Sequence, residues 1–216
     1  MNFHASEPLP APGGHAAIWA WRGDDAAVAD HVAAHIRPDY SATIAIAGGH
    51  TPRPILDRLK RRSLPWHRAH FLPTDERLVP VTHPDSNYGM LSRALDATPA
   101  LVDRLDGIDL SGTLDLVWLG MAEDGKVASL FTPEDTAMTG SDAVVRTRPA
   151  STSSHVPHER CSLSLAAICR AREVILVIRG ERKRRLVEQS IDGKGDLAIS
   201  RLFAAIPSPI RIFWCR

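Results

Sequence analysis

Three short polar stretches of the sequence contain side chains that could bind an anion or transfer a proton. Paired glycines let a backbone approach a ligand closely, and the free N–H groups of a helix that follows them can bind phosphate. A guanidinium can hold phosphate or carboxylate through two N–H groups, and an imidazole can accept a proton near neutral pH. These residue types favour a phosphorylated small molecule as the ligand. The stretches contain Gly48, Gly49, His50 and Thr51, then Asp75, Glu76 and Arg77, then Glu123, Asp124, Gly125 and Lys126.

Each polar stretch, taken alone, also has a purely structural explanation. The glycine pair fits a plain tight turn, and Thr51 before a proline fits a helix start with threonine as the N-cap. The acid–acid–base triplet that ends at Arg77 fits a structural salt bridge. Ser86 and Asn87 could hydrogen-bond sugar hydroxyls, but a serine at this place also fits a helix N-cap. In the basic run over residues 180–185, one cation could face a ligand while the others are solvated.

The apolar pattern predicts strands that end just before the polar stretches, and helices between them. Helices are predicted from residue 51 onwards and over 24–36, 87–97, part of 162–171 and 181–190, and the apolar run after Lys126 could open another. Strands are predicted over residues 16–21, 41–47, 70–73, 114–119, 144–146, 173–178 and 210–214.

Continuous Val/Ile/Leu strands that alternate with helices predict an α/β fold with a doubly wound, mostly parallel sheet and helices on both faces. We expect residues 16–216 to form this Rossmann-like arrangement as a single domain, because their length suits one large α/β domain. Residues 1–15 are rich in proline and glycine and are expected to form a loose lead-in. Because ligands bind beyond the carboxyl ends of parallel strands, the three polar stretches should meet at one edge of the sheet.

Composition narrows the classes of partner and the compartment. The formal net charge is +1, which gives no electrostatic reason to expect nucleic acid or an anionic membrane as partner. No apolar run approaches the roughly 18 residues of a membrane span, and the first residues do not resemble a signal peptide. The odd number of cysteines, at 161, 169 and 215, fits no metal spacing and favours a reducing cytoplasm. The sequence leaves the oligomeric state open.

The order of the motifs resembles that of the 6-phosphogluconolactonase family, which is related to the glucosamine-6-phosphate deaminases. The family pattern reads GGSTP, DER, SNY and GMGEDGHTASLFP, and the chain has GGHTP at 48–52, DER at 75–77, SNY at 86–88 and GMAEDGKVASLF at 120–131. Two later segments, RCSLSL at 160–165 and GERK at 180–183, resemble the family's RITLTL and G-x-x-K. The resemblance covers roughly residues 41–190.

The resemblance implies hydrolysis of 6-phosphoglucono-δ-lactone to 6-phosphogluconate, in the oxidative pentose phosphate pathway, without a cofactor or a metal. The partner would be a small sugar phosphate whose phosphate orients the lactone. Two other functions remain open: a non-catalytic sugar-phosphate-binding protein on the same scaffold, and a sugar-phosphate isomerase or deaminase. The resemblance and the motifs together indicate a set of candidate substrate-binding residues. They are Gly48, Gly49, Thr51, Asp75, Arg77, Ser86, Asn87, Arg160 and Lys183.

The chain departs from the family pattern at two positions that matter for catalysis. Lys126 stands where the family has the histidine proposed as general base, and His50 stands where the family has serine. A lysine beside Glu123 and Asp124 should keep its proton, and an ammonium cannot accept another. Three readings follow: Lys126 is desolvated enough to lose its proton, its role has moved to His50, or only sugar-phosphate binding is retained. The catalytic candidates are therefore His50 and Lys126, with Asp124 and Glu123 as partners of the lysine.

Overall fold

A computed structural model describes residues 9–10, 16–108, 110, 112–136, 142–148 and 158–216. Within this part of the chain the helices are α1 (Asp25–Ala33), α2 (Pro52–Leu59), α3 (Asn87–Leu95), α4 (Leu165–Cys169), α5 (Glu181–Ile191) and α6 (Ala198–Ala205), with a 3-10 turn at Trp66–Arg68. The strands are β1 (Leu9–Pro10), β2 (Ala16–Trp19), β3 (Ala42–Ile46), β4 (Ala69–Pro73), β5 (Asp75–Arg77), β6 (Leu101–Val102), β7 (Leu116–Gly120), β8 (Val144–Thr147), β9 (Arg160–Leu163), β10 (Val174–Arg179) and β11 (Ile210–Cys215).

The large sheet has the strand order β1-β2-β11-β10-β7-β3-β4-β6. Every neighbouring pair in it is parallel except β1 and β2, which are antiparallel. The predicted mostly parallel α/β fold is therefore confirmed. Among the described helices, none has the length and apolar character that crossing a membrane would require.

The two faces of the sheet are covered by different helices, because successive side chains of a strand point to opposite faces. Ile44 and Ile46 of β3 pack in the core formed with α1, α2 and α3. Ala45, between them, belongs to the second core, which includes Ile168 of α4, Val187 of α5 and residues of α6. Burial on both faces explains why the strands consist of continuous apolar residues.

A small second sheet lies on the α4 to α6 side and was only partly predicted. It pairs β5, β9 and β8 in that order, and both pairings are antiparallel. The short strand predicted over 144–146 is part of it. The sequence did not predict that residues 75–77 form a strand, nor that residues 198–205 form a helix.

One local prediction was wrong. The apolar run after Lys126 does not open a helix, because the loop folds back on itself: the Ala122 backbone N–H donates to the Lys126 carbonyl at 2.9 Å, and Met121 pairs with Val127 in an isolated β-bridge. Buried apolar side chains at Val127 and Leu130 then anchor the loop to the core. Thr51 is the N-cap of α2, as predicted, and Pro52 is the first residue of the helix, although the Thr51 side chain makes no capping hydrogen bond. In the expected lead-in, residues 9–10 pair with β2, and the rest lies outside the described residues.

Candidate active site

A cleft of about 360 Å³ lies at the carboxyl edge of the large sheet. The loops that follow β3, β4, β7 and β10 form its walls, and strand β9 of the small sheet adds Arg160. His50, Arg77 and Lys126, one residue from each polar stretch, all line it. The expected substrate-binding residues found in its lining are Gly48, Gly49, Thr51, Asp75, Arg77, Asn87, Arg160 and Lys183.

The glycine-rich turn after β3 forms one wall of the cleft. A Cβ at Gly48 would lie 2.1 Å from Oδ1 of Asn87, so only glycine allows the Asn87 side chain to pack there. Gly49 has a φ of 90°, a conformation that residues with a side chain rarely adopt. The turn thereby presents His50, whose side chain is exposed, at the mouth of the cleft.

Asp75 is the carboxylate that lines the cleft, and it is only 6% exposed. Its Oδ2 accepts a hydrogen bond from the Ser129 hydroxyl at 2.5 Å. The Asn87 amide donates to the Asp75 carbonyl oxygen at 2.7 Å. Nη1 of Arg160 lies 3.8 Å from the same carboxylate oxygen that Ser129 binds. Asp75 is therefore held by fixed donors, and Nη1 of Arg160 donates to the Ser129 hydroxyl at 3.3 Å instead of forming a close ion pair with Asp75.

Two arginines lie side by side because β5 and β9 pair antiparallel, with Arg77 directly opposite Arg160. Nη1 of Arg77 donates to the Asp85 carbonyl at 2.7 Å, and within the described chain Arg77 forms no ion pair with a carboxylate. The Nε atoms of both arginines are buried and lack a hydrogen-bond partner among the described residues. Burial, and then the neighbouring Arg77, lower the pKa of the Arg160 guanidinium. Two adjacent cations, of which only Arg160 lies near a carboxylate, favour an anionic ligand.

Lys126 is held at the cleft by a carboxylate and an aromatic ring. Its Nζ lies 2.7 Å from Oδ2 of Asp124 and 5.1 Å from the centre of the Phe131 ring. The guanidinium of Arg160 lies 5.4 Å from the centre of the same ring. A carboxylate and a π face both attract a charged ammonium, so this setting suits a lysine that acts as a proton donor.

The end of β10 and the start of α5 bring two more cations to the cleft. Lys183 lies in the first turn of α5, and its Nζ is 3.9 Å from Oε1 of Glu123. Arg179, the last residue of β10, also lines the cleft and pairs with Asp25 of α1 at 2.8 Å. Arg179 was not predicted as a site residue, because the predicted strand ended one residue earlier. Its position directly before Gly180, at a carboxyl strand end, was the available signal.

Three of the expected site residues do not line the cleft. Glu123 and Asp124 are exposed and serve as ion-pair partners of the lysines and of Arg182. Ser86 is buried as the N-cap of α3, where its hydroxyl oxygen accepts from the Gly89 N–H at 2.9 Å. The structural explanation of Ser86 is therefore the one that its contacts support.

The fold and the cleft together define a doubly wound α/β protein with a cleft lined by cationic side chains at the carboxyl edge of its sheet. The chain belongs to the family described as glucosamine-6-phosphate isomerases/6-phosphogluconolactonase, whose model matches residues 25–105 and 96–209. The family resemblance inferred from the motifs is therefore confirmed.

Individual relatives are similar to the chain over most of its length. It is 30% identical over 207 residues to a 6-phosphogluconolactonase of Pseudomonas putida, which covers 87% of this chain and 85% of the relative. It is 32% identical over 193 residues to a 6-phosphogluconolactonase of Neisseria meningitidis serogroup B, with 78% and 82% covered. The crystal structure of a 6-phosphogluconolactonase from Shewanella baltica has the same fold, with a TM-score of 0.79 at 24% identity, over 92% of this chain and 97% of the other.

Proposed function

We propose that the protein hydrolyses 6-phosphoglucono-δ-lactone to 6-phosphogluconate, in the oxidative pentose phosphate pathway. The observation that carries the proposal is the charge of the cleft lining, which contains five cationic side chains and one carboxylate, that of Asp75. Three of the cations have ion-pair partners outside the lining, whereas Arg77 and Arg160 have none there among the described residues. An anionic handle on the substrate would balance this excess. The names of the relatives supply the particular lactone. The five cations are Arg77, Lys126, Arg160, Arg179 and Lys183.

The proposed phosphate site consists of Arg77, Arg160 and Lys183. Arg77 is supported by its lack of a carboxylate partner among the described residues, and Arg160 by its position opposite Arg77. Lys183 is supported by its long, 3.9 Å separation from Glu123, which leaves its ammonium able to turn towards a phosphate. Binding the phosphate at this wall would orient the lactone ring towards the loops that contain His50 and Lys126.

In the proposed mechanism, His50 is the general base, and Lys126 stabilises the negative charge that develops on the carbonyl oxygen. His50 removes a proton from a water molecule as the water oxygen attacks the lactone carbonyl carbon. The carbonyl oxygen gains negative charge, which the ammonium of Lys126 stabilises. The bond from that carbon to the ring oxygen then breaks, and the imidazolium returns the proton to the ring oxygen. The contacts of Lys126 with Asp124 and Phe131 support this division, because a carboxylate and a π face both attract an ammonium.

The proposal extends to the cellular setting of the enzyme. A cytoplasmic location is supported by three unpaired cysteines, which suit a reducing compartment. The formal net charge of +1 supports a small sugar phosphate, rather than nucleic acid or a membrane, as the partner. We further propose that residues 16–216 form one catalytic domain.

The decisive experiment is an assay of the purified protein with freshly made 6-phosphogluconolactone, corrected for spontaneous hydrolysis. We expect saturable hydrolysis well above the uncatalysed rate. Calorimetric titration with 6-phosphogluconate distinguishes the two alternatives that share the scaffold. Binding of 6-phosphogluconate without lactone hydrolysis would show a sugar-phosphate-binding protein, and deamination of glucosamine 6-phosphate would show the other branch of the family; either result overturns the proposal.

Replacing Lys183 with alanine should raise the Michaelis constant for the lactone about tenfold, with little change in the turnover number. The reason is that the ammonium contacts the phosphate equally in the ground state and the transition state, and a charge-assisted hydrogen bond contributes about this much. Steady-state kinetics over a range of lactone concentrations measures both constants.

Arg182→Ala is the matched control for Lys183→Ala, because Arg182 is the adjacent cation on α5 and its side chain is 77% exposed and outside the cleft lining. The Michaelis constant of the Arg182→Ala variant should equal that of the wild type. A larger effect from Arg182→Ala than from Lys183→Ala would mean that the phosphate site was assigned to the wrong cation.

A further inference from the structure

A second cluster of ionisable side chains lies at the opposite edge of the large sheet from the cleft. Glu173 directly precedes β10, so it stands at the amino end of that strand, whereas Arg179 and the cleft lie at its carboxyl end. The strand has six residues, which separates the two places by about 20 Å. His31 of α1 and His35, in the turn that follows α1, face Glu173.

The three side chains converge with the geometry of a ligand set. Nε2 of His31 lies 3.0 Å from Oε1 of Glu173, and Nε2 of His35 lies 3.0 Å from Oε2. The three ligand atoms all lie within 4.8 Å of one another. Ligand atoms around a tetrahedral zinc ion are about 3.3 Å apart, so small shifts of these side chains would admit the ion.

Local structure explains why both imidazoles point to the same place. Residues four apart lie on the same face of a helical segment, one turn apart. The His31 ring also packs against Phe213 of β11, with ring centres 5.3 Å apart, which fixes its orientation. The exposed fractions of the three side chains are 22%, 18% and 26%, so they are largely ordered by packing yet reachable by an ion from solvent.

Arg211 of β11 places a cation beside the cluster. Nε of Arg211 lies 3.3 Å from Oε1 of Glu173 and is the other charged group that faces the cluster among the described residues. Arg211 therefore competes with any cation for the same carboxylate.

We propose that His31, His35 and Glu173 form a binding site for a divalent metal ion of the zinc class. Two imidazole nitrogens and one carboxylate oxygen are a ligand set that zinc accepts, with water in the remaining position. The bound ion ties the end of α1 to the amino end of β10, and so stabilises the fold without taking part in the lactone chemistry. The site is independent of the function proposed above, because none of its residues lines the cleft.

A second histidine cluster provides an internal comparison. His83, Asp85 and His158 are also close together, but Nδ1 of His83 already accepts a hydrogen bond from the Asp85 N–H at 3.1 Å. Both imidazoles lie 3.8 Å from Oδ2 of Asp85, so the carboxylate makes no close contact with either. The ligand atoms of this cluster also lie within 4.8 Å of one another, but its carboxylate contacts are longer than the 3.0 Å contacts of Glu173, and it therefore serves as the matched control.

The test is calorimetric titration of the tag-free, chelator-treated full chain with zinc chloride, together with thermal unfolding. We expect one equivalent of zinc to bind and the midpoint of unfolding to rise by about 5 to 10 °C at a free zinc concentration a hundred times the dissociation constant. His35→Gln should weaken binding by about 10²-fold or more, since removal of a direct ligand should cost at least as much as removal of an outer partner. His83→Gln should leave zinc binding unchanged.

Arg211→Gln should change the zinc affinity in the opposite direction. It should bind zinc more tightly than the wild type, because the competing cation is gone while all three ligands remain. Circular dichroism establishes that each variant is folded before titration. Absence of a stoichiometric zinc site in the wild type, unchanged binding in the double variant His31→Gln/His35→Gln, or loss of binding in His83→Gln would each overturn the proposal.

Discussion

Replacing His50 with alanine should lower the turnover number for 6-phosphogluconolactone by about 10²–10⁴-fold, the usual contribution of a general base. His50 is the imidazole that lines the cleft, and the glycine-rich turn presents it there without burying it. The Michaelis constant should change little, because the phosphate site at Arg77, Arg160 and Lys183 is untouched. Initial rates at saturating lactone, corrected for spontaneous hydrolysis, measure the effect.

Two variants separate the proposed division of roles from its alternatives. His67→Ala removes an exposed histidine of the 3-10 turn, away from the cleft, and should retain the wild-type turnover number. Adding Lys126→His to His50→Ala should not restore activity. In the proposed mechanism, position 126 lies beside Asp124 and Phe131 and stabilises the carbonyl oxygen, so a histidine there does not replace the base at position 50. Full activity in His50→Ala, or a sharply faster single variant Lys126→His, would show that His50 is not the base.

Replacing Glu76 with alanine should lower the free energy of unfolding by about 3 kcal/mol or more, the cost of leaving several buried donors unpaired. Glu76 is 3% exposed, and its carboxylate accepts hydrogen bonds from four groups. The donors are the Arg77 N–H at 2.7 Å, the Asn87 N–H at 2.9 Å, the Tyr88 N–H at 2.6 Å and the Ser86 hydroxyl at 3.1 Å. Urea denaturation of wild type and variant measures the difference.

The effect of Glu76→Ala should reach the cleft as well. The carboxylate joins β5 to the start of α3, and Arg77 and Asn87 at these two places line the cleft. We therefore expect a higher Michaelis constant in the folded variant. Glu188→Ala is the control: Glu188 is exposed and pairs with Arg184 one helical turn away, so its loss should cost about 0.5 kcal/mol or less. Equal stabilities of the two variants would contradict the structural role of Glu76.

The fold could be predicted from sequence because its main signals are local. Strands β3, β7 and β10 are short, continuous apolar runs, and the helices between them show their own apolar periodicity. Parallel connections also follow a general rule, so the polar loops after these strands had to meet at one edge. Of the expected site residues, His50, Arg77 and Lys126 reached the cleft for this reason.

What the sequence could not predict depends on contacts between distant segments. The strand at residues 75–77 exists because it pairs with residues 160–162, far along the chain, and that pairing places Arg77 opposite Arg160. Three residues carry too little pattern to indicate a strand. The loop after Lys126 shows the opposite failure: an apolar run that fits a helix instead folds back, since Val127 and Leu130 are buried in the core.

The sequence by itself determined most of the large sheet and of its covering helices, the edge at which the polar loops meet, and the family, because periodicity and motif order are properties of the chain alone. Only the tertiary structure decided which charged groups face the cleft. It turned Glu123 and Asp124 outwards as partners of cations, buried Ser86 and Glu76 as supports of α3, and brought Arg179 into the cleft. The physical reason is that the same type of polar or charged side chain can line a cleft, form an ion pair or cap a helix. Its role depends on the groups that packing places around it.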